Sequence, residues 1–108
     1  MRRGEIWTAA GGTYAAKPRP VVIIQDDHFA GADSVTVLPM TTALVDAPLL
    51  RVPVDPTPVN GLEQQSQIMI DKVTTTRRSS VKVKVGALSA ADLVRVERSL
   101  LVFLGIAG

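Results

Sequence analysis

Apolar and polar residues alternate along most of this chain with the period of a strand, and only near its end do they recur with the period of a helix. The run Val21, Val22, Ile23, Ile24 has no polar interruption. A half-exposed strand would alternate, so this run predicts a strand over 20–25 buried on both faces. Segments 5–10, 34–40 and 67–70 predict further strands, the first ended by Gly11-Gly12. Segment 49–54 predicts a short edge strand, because Pro53 has no N–H to offer a neighbour. The stretch from Asp55 through Pro56 and Pro58 to Asn60-Gly61 predicts a loop. Val81, Val83 and Val85 alternate with Lys82 and Lys84, which predicts a half-buried strand with its lysines outward. Lysines so placed also keep an edge strand from pairing with another chain.

The period then changes. Ser89 followed by Asp92 has the form of an N-cap with an acidic residue in the first turn. Leu93, Val96, Leu100, Phe103 and Leu104 follow at three- and four-residue spacing before Gly105, which predicts one amphipathic helix. Strands followed by a single helix give a β-rich α+β class: a strongly bent antiparallel sheet or small barrel with a helix packed on it, as one domain over 1–108.

Composition narrows the chemistry. With 108 residues, 46% of them hydrophobic, the chain can bury one small core, to which a partner subunit would add. The aromatic residues are Trp7, Tyr14, Phe29 and Phe103, so the core is aliphatic. The absence of cysteine excludes a disulfide framework, a thiolate zinc site and a cysteine nucleophile. His28 is the only histidine, so one chain cannot supply a two-histidine acid and base, and no Gly-x-Ser-x-Gly accompanies it. It reads as an exposed loop residue. Asp26 and Asp27 are consecutive and point to opposite faces of an extended segment, so they cannot share a metal without further ligands. No cofactor or metal is expected. The start MRRGEIW has no apolar run behind its charges, and no segment approaches the roughly 18 apolar residues of a membrane span. The expectation is a soluble, cytoplasmic protein with no membrane partner.

Net charge is only +2 but is unevenly spread: Lys72, Arg77, Arg78, Lys82 and Lys84 have no acid among them. Such a stripe is either solvated surface or a polyanion contact. More unusual is Lys17-Pro18-Arg19-Pro20, joined directly to the buried strand. Pro18 and Pro20 hold Lys17 and Arg19 in extended geometry, so two cations leave a stiffened backbone at a sheet edge.

Taken in order, MRRGEIW, KPRPVVIIQDD, VTVLPMTT, IMIDKV and VGALS with its following helix resemble the MazF/PemK family of toxin endoribonucleases from end to end. The resemblance implies a small, bent, SH3-like barrel, a homodimer, and cleavage of single-stranded RNA without a metal. The 2′-hydroxyl would attack the adjacent phosphate and leave a 2′,3′-cyclic phosphate and a 5′-hydroxyl. It implies catalytic roles for Arg19 and Thr41, with Asp71 and Thr42 as further catalytic or supporting residues. Lys17, Thr13, Lys72, Arg77 and Arg78 become candidate RNA contacts, with Thr13, Tyr14 or Lys17 setting RNA register in the loop before Arg19. Met69 stands where some members carry an arginine, and Thr74 where many have an arginine followed by threonine. A cognate antitoxin protein is the implied partner, through an acidic segment laid over Lys17, Arg19 and the basic stripe. A non-catalytic inhibitor on the same fold, in the manner of gyrase poisons, and a module that only binds RNA or a partner remain the alternatives.

Overall fold

Strand β3 (Ser34–Thr41) is the axis around which the other elements are arranged in the computed structural model, which describes residues 1–10 and 17–107. Before it come β1 (Glu5–Ala9) and β2 (Arg19–Ile23). After it come β4 (Arg51–Val54), β5 (Ser66–Met69), β6 (Thr74–Arg77) and β7 (Val81–Ala87), and helix α1 (Ala90–Phe103) closes the order. Among the described residues the strands form one seven-stranded sheet in the order β4-β5-β3-β2-β1-β7, with β6 also on β3. Every pairing is antiparallel. The β-rich class with a C-terminal helix is therefore as expected, whereas the sheet is open: β4 and β7 end it and do not pair with each other.

The central strand is buried on both faces as predicted, but it runs over Arg19–Ile23 and leaves Ile24 outside it, only partly buried. Val21, Val22 and Ile23 are at most 5% exposed. Val22 belongs to the larger core, with Ile6, Leu38, Ile68, Ile70 and Val96, while Val21 and Ile23 belong to a second cluster with Ala9, Val35, Val37 and Val81. Both faces of β2 are thus covered, at roughly 1.5–3 kcal/mol for each large side chain buried. The helix is capped as its sequence indicates, with the Asp92 N–H donating to Ser89 Oγ at 3.1 Å. It packs Val96, Leu93 and Leu100 on the larger core. Pro53 lies exposed on β4 at the sheet edge, as expected.

Several expectations need correction. Strand β6 lies in a segment to which the sequence pattern assigns no element. It shares one side of β3 with β5, the two being separated by a 3-10 turn over Ile70–Lys72. The register with β3 shifts across that turn from Met40↔Ile68 to Val37↔Thr74, so the turn inserts extra residues into an otherwise continuous strand. Val83 does not point inward: it is exposed, because the β1–β7 register slips twice and breaks the alternation. Phe103 and Leu104 are exposed as well, since the last turn of α1 lies beyond the core residues that hold Val96. The Asp26-Asp27 pair is not extended either. Asp26 caps a 3-10 turn over Asp27–Phe29 and accepts from the His28 N–H at 2.8 Å and from its ring at 2.6 Å. Those contacts, the backbone N–H foremost, hold the Asp26 carboxyl below the usual carboxylate range. His28 is exposed, as its loop position suggested.

Candidate active site where the second and third strands part

Strand register decides which candidate residues meet. β2 pairs with β3 through Ile23↔Val37, Val22↔Leu38 and Val21↔Pro39. Arg19 and Thr41 stand two residues beyond the last of these pairs, where β2 and β3 no longer pair, so both lie at the same end of the β2–β3 ladder. On its other side Arg19 pairs with Ala9 of β1, and Thr41 pairs with Gln67 of β5. Period-two alternation sets Arg19 on the face of Val21 and Ile23, and Thr41 on the face of Val35 and Val37. These four valine and isoleucine side chains form one buried cluster, so both candidate residues project from the same face of the sheet.

Their local chemistry suits an anion. The Arg19 side chain is exposed and has no hydrogen-bond or ion-pair partner among the described residues, so its fork is available. Thr41 Oγ accepts the Ala43 N–H at 3.1 Å. That contact fixes the oxygen through a lone pair and leaves the hydroxyl proton free to donate. The loop after it is held by Gln67, only 8% exposed, whose amide donates to Val45 O at 2.8 Å and accepts from Val45 N–H at 3.1 Å. Thr42 is exposed and lines a cleft that also includes Pro18 and Pro20, the neighbours of Arg19. Lys17 is exposed on the approach to Arg19. Thr13 and Tyr14 lie outside the described residues.

Other candidates lie elsewhere. Asp71 is bound to Arg51 Nη1 at 2.7 Å in a partly buried ion pair, at the turn that follows β5. This contact is the one the structure gives Asp71 among the described residues. Lys72 is exposed on the same turn. Arg77 pairs with Ser34 at the far end of β3, about 23 Å from Thr41 along an extended strand at 3.3 Å per residue. Arg78 is engaged with Ala32 O at 2.8 Å. Both thus lie at the end of β3 opposite Thr41. Lys84 is paired with Glu5 at 2.8 Å. Among the described residues no group of three His, Asp or Glu side chains is placed to hold a metal ion, and no helix is long and apolar enough to cross a membrane.

Sequence reasoning missed Gln67 and Asn60, buried polar residues that fix the loops on either side of the site. The sole signal for either was an amide beside apolar or turn residues, which does not announce its distant partners.

Known proteins share this chain's sequence pattern and fold. A family model described as PemK-like, MazF-like toxin of type II toxin-antitoxin system matches residues 2–104. The chain belongs to this family. It is 61% identical over 109 aligned residues to a probable endoribonuclease MazF of Mycolicibacterium smegmatis, with all of both chains covered. Its fold is similar to that of the Mycobacterium tuberculosis toxin MazF-mt6, at a TM-score of 0.81 and 27% identity, covering 96% of this chain and 99% of that one. A mycobacterial endoribonuclease solved with its cognate antitoxin shares the fold at a TM-score of 0.82 and 16% identity, covering 100% of this chain and 98% of the other.

Proposed function

We propose that this member of the MazF-like family is a toxin endoribonuclease that cleaves single-stranded RNA by attack of the 2′-hydroxyl on its neighbouring phosphate, leaving a 2′,3′-cyclic phosphate and a 5′-hydroxyl. What supports the reading is the position of Arg19 and Thr41 just past the last β2–β3 pair, with strand alternation setting both on the side of one buried cluster. As the phosphorane forms, negative charge grows on its non-bridging oxygens. The Arg19 fork donates to them, and the Thr41 hydroxyl, already oriented by Ala43, adds another donor. Because Val21, Val22 and Ile23 anchor the strand behind Arg19, these donors need little reorganisation during the reaction. A guanidinium is a poor proton acceptor, so Arg19 serves as electrostatic stabiliser and as an acid rather than as general base.

Arg19→Ala and Thr41→Ala each lose roughly 10² to 10³ in cleavage rate, the usual cost of one preorganised transition-state donor. Excess chelator leaves the wild-type rate unchanged, because the nucleophile is internal to the RNA. Cleavage by Arg19→Ala at the wild-type rate, or loss of cleavage in chelator, refutes the assignment.

Two partners follow from the same surface. A second copy covers the exposed apolar end of α1, where Leu101, Val102, Phe103, Leu104 and Ile106 are 39–70% exposed. An antitoxin with an acidic segment would lie over Lys17 and Arg19. Competition between such a segment and RNA for the wild-type protein tests this, and simultaneous binding of both would exclude it.

A further inference from the structure

A cleft of about 400 Å³ opens beside the candidate site, with Pro18, Pro20, Thr42, Leu62, Glu63 and Gln64 among the residues that line it. Two features set it apart from a phosphate site. Among the described residues that line it there is no cation, and its only charge is the Glu63 carboxylate. A phosphate would be repelled there, whereas proline and leucine surfaces suit the flat face of a neutral ring.

The wall bearing Glu63 is fixed from behind. Asn60, 2% exposed, accepts the Thr57 N–H at 2.9 Å and the Leu62 N–H at 3.0 Å on its Oδ1 and donates to Asp55 O at 2.8 Å. Gly61, at φ +69°, sits so close to β7 that an added Cβ would lie 2.1 Å from Val85 O. The Ala87 N–H reaches Val59 O at 3.1 Å. A loop tied down at these points presents Glu63 from a set position, as a discriminating contact requires.

We propose that this cleft holds a nucleobase next to the scissile phosphate and that Glu63 selects a base with an exocyclic amino group over uracil. The proposal rests on the RNA-cleaving reading above and adds what the site recognises. A carboxylate only accepts hydrogen bonds. The amino groups of cytosine, adenine and guanine donate to it, while uracil turns carbonyl oxygens towards it on either side of its single ring N–H. Gln64, whose amide both donates and accepts, can satisfy the ring atoms beside the amino group.

The probes are short single-stranded oligonucleotides of deoxycytidine, deoxyadenosine or deoxyuridine, which lack the 2′-hydroxyl and cannot be cleaved by this route. Wild-type protein binds at least one amino-bearing oligonucleotide about tenfold or more tighter than the deoxyuridine one, the scale of one good base contact. In Glu63→Ala and Glu63→Gln that ratio falls below about threefold, the remainder being stacking without base readout. The Glu63 side chain is exposed and has no hydrogen bond among the described residues, so these variants keep the fold. A wild-type ratio near one, or a ratio untouched by both variants, overturns the proposal. Cleavage of a random RNA library is read in parallel. Cleavage without base discrimination sinks the cleft alone, and discrimination without cleavage sinks the reaction and leaves the cleft standing.

Discussion

Replacing Glu5 with glutamine should cost stability at neutral pH and almost none in strong acid. Glu5 opens β1, and its side chain is 15% exposed. Burial by itself pushes its pKa up. The Lys84 ammonium at 2.8 Å, the Arg2 backbone N–H at 2.7 Å and the Trp7 indole N–H at 3.1 Å together outweigh burial and bring it down to about 2. An unfolded glutamate titrates near about 4.3, and each unit of difference is worth about 1.4 kcal/mol, which sets a ceiling of about 3 kcal/mol. Lys84 is half exposed, and solvent screening of that partner reduces the expected contribution to about 1–2 kcal/mol. A depressed carboxylate pKa stabilises the fold above the unfolded value, and the contribution disappears as pH falls through the folded one. The window therefore runs from about pH 4.5 down to about pH 2. Urea unfolding followed by far-UV circular dichroism, on wild type and Glu5→Gln at several pH values, measures the gap. A gap that persists unchanged from pH 6 to pH 2 would refute the argument, because it would then come from packing and not from charge.

Three further outcomes are expected. Gly86→Ala would bring a Cβ to 2.4 Å from the Asn60 backbone and should cost about 2 kcal/mol or more in urea unfolding, whereas Gly31→Ala, with nothing within 4 Å, should change stability by less than about 0.5 kcal/mol. Asp71→Ala should destabilise by about 1–3 kcal/mol, because it strips the partner from Arg51, whose buried Nε already lacks one; cleavage lost at full stability would instead place Asp71 in the reaction. Leu101→Asp with Leu104→Asp should convert a dimer to monomer in sedimentation at micromolar concentration, and an unchanged sedimentation coefficient would move the interface elsewhere.

What the sequence displayed and what it hid follow from the range of the interactions concerned. The buried run at Val21–Ile23 and the Ser89 cap are local, and each is written in a few adjacent residues. Pro53 at the sheet edge is local too, since a missing N–H excludes a central position wherever the strand goes. Strand β6 was hidden because Thr74, Thr75 and Arg77 are exposed and Thr76 only half-buried, leaving no apolar alternation to read. It exists because β3 offers it a partner. The exposed Val83 was hidden by register slips that depend on β1, far away in sequence. Arg19 and Thr41 stood out through the resemblance and the proline mount. That they lie at the same end of the β2–β3 ladder is a matter of strand register, which neither segment states alone.

That register also explains why the site lies where it does. β3 changes partner within two residues: its pairing with β2 stops at Val21↔Pro39, and its pairing with β5 begins at Met40↔Ile68. Pro39 has no N–H to continue a ladder, and the two neighbours hold β3 from opposite sides. Thr41 is thus tied on the β5 side and open on the β2 side, where Arg19 stands at the head of its own strand. In the proposed reaction a substrate phosphate would enter between two strands whose bodies are buried, so its position would be set by the core. Mutations that loosen the core behind β2, such as Val22→Ala, should therefore lower cleavage at temperatures where the protein is still folded, by displacing Arg19 from Thr41. The measurement is the cleavage rate well below the unfolding midpoint, and a Val22→Ala variant that is destabilised yet cleaves at the wild-type rate would show that Arg19 keeps its place without the packing beneath it.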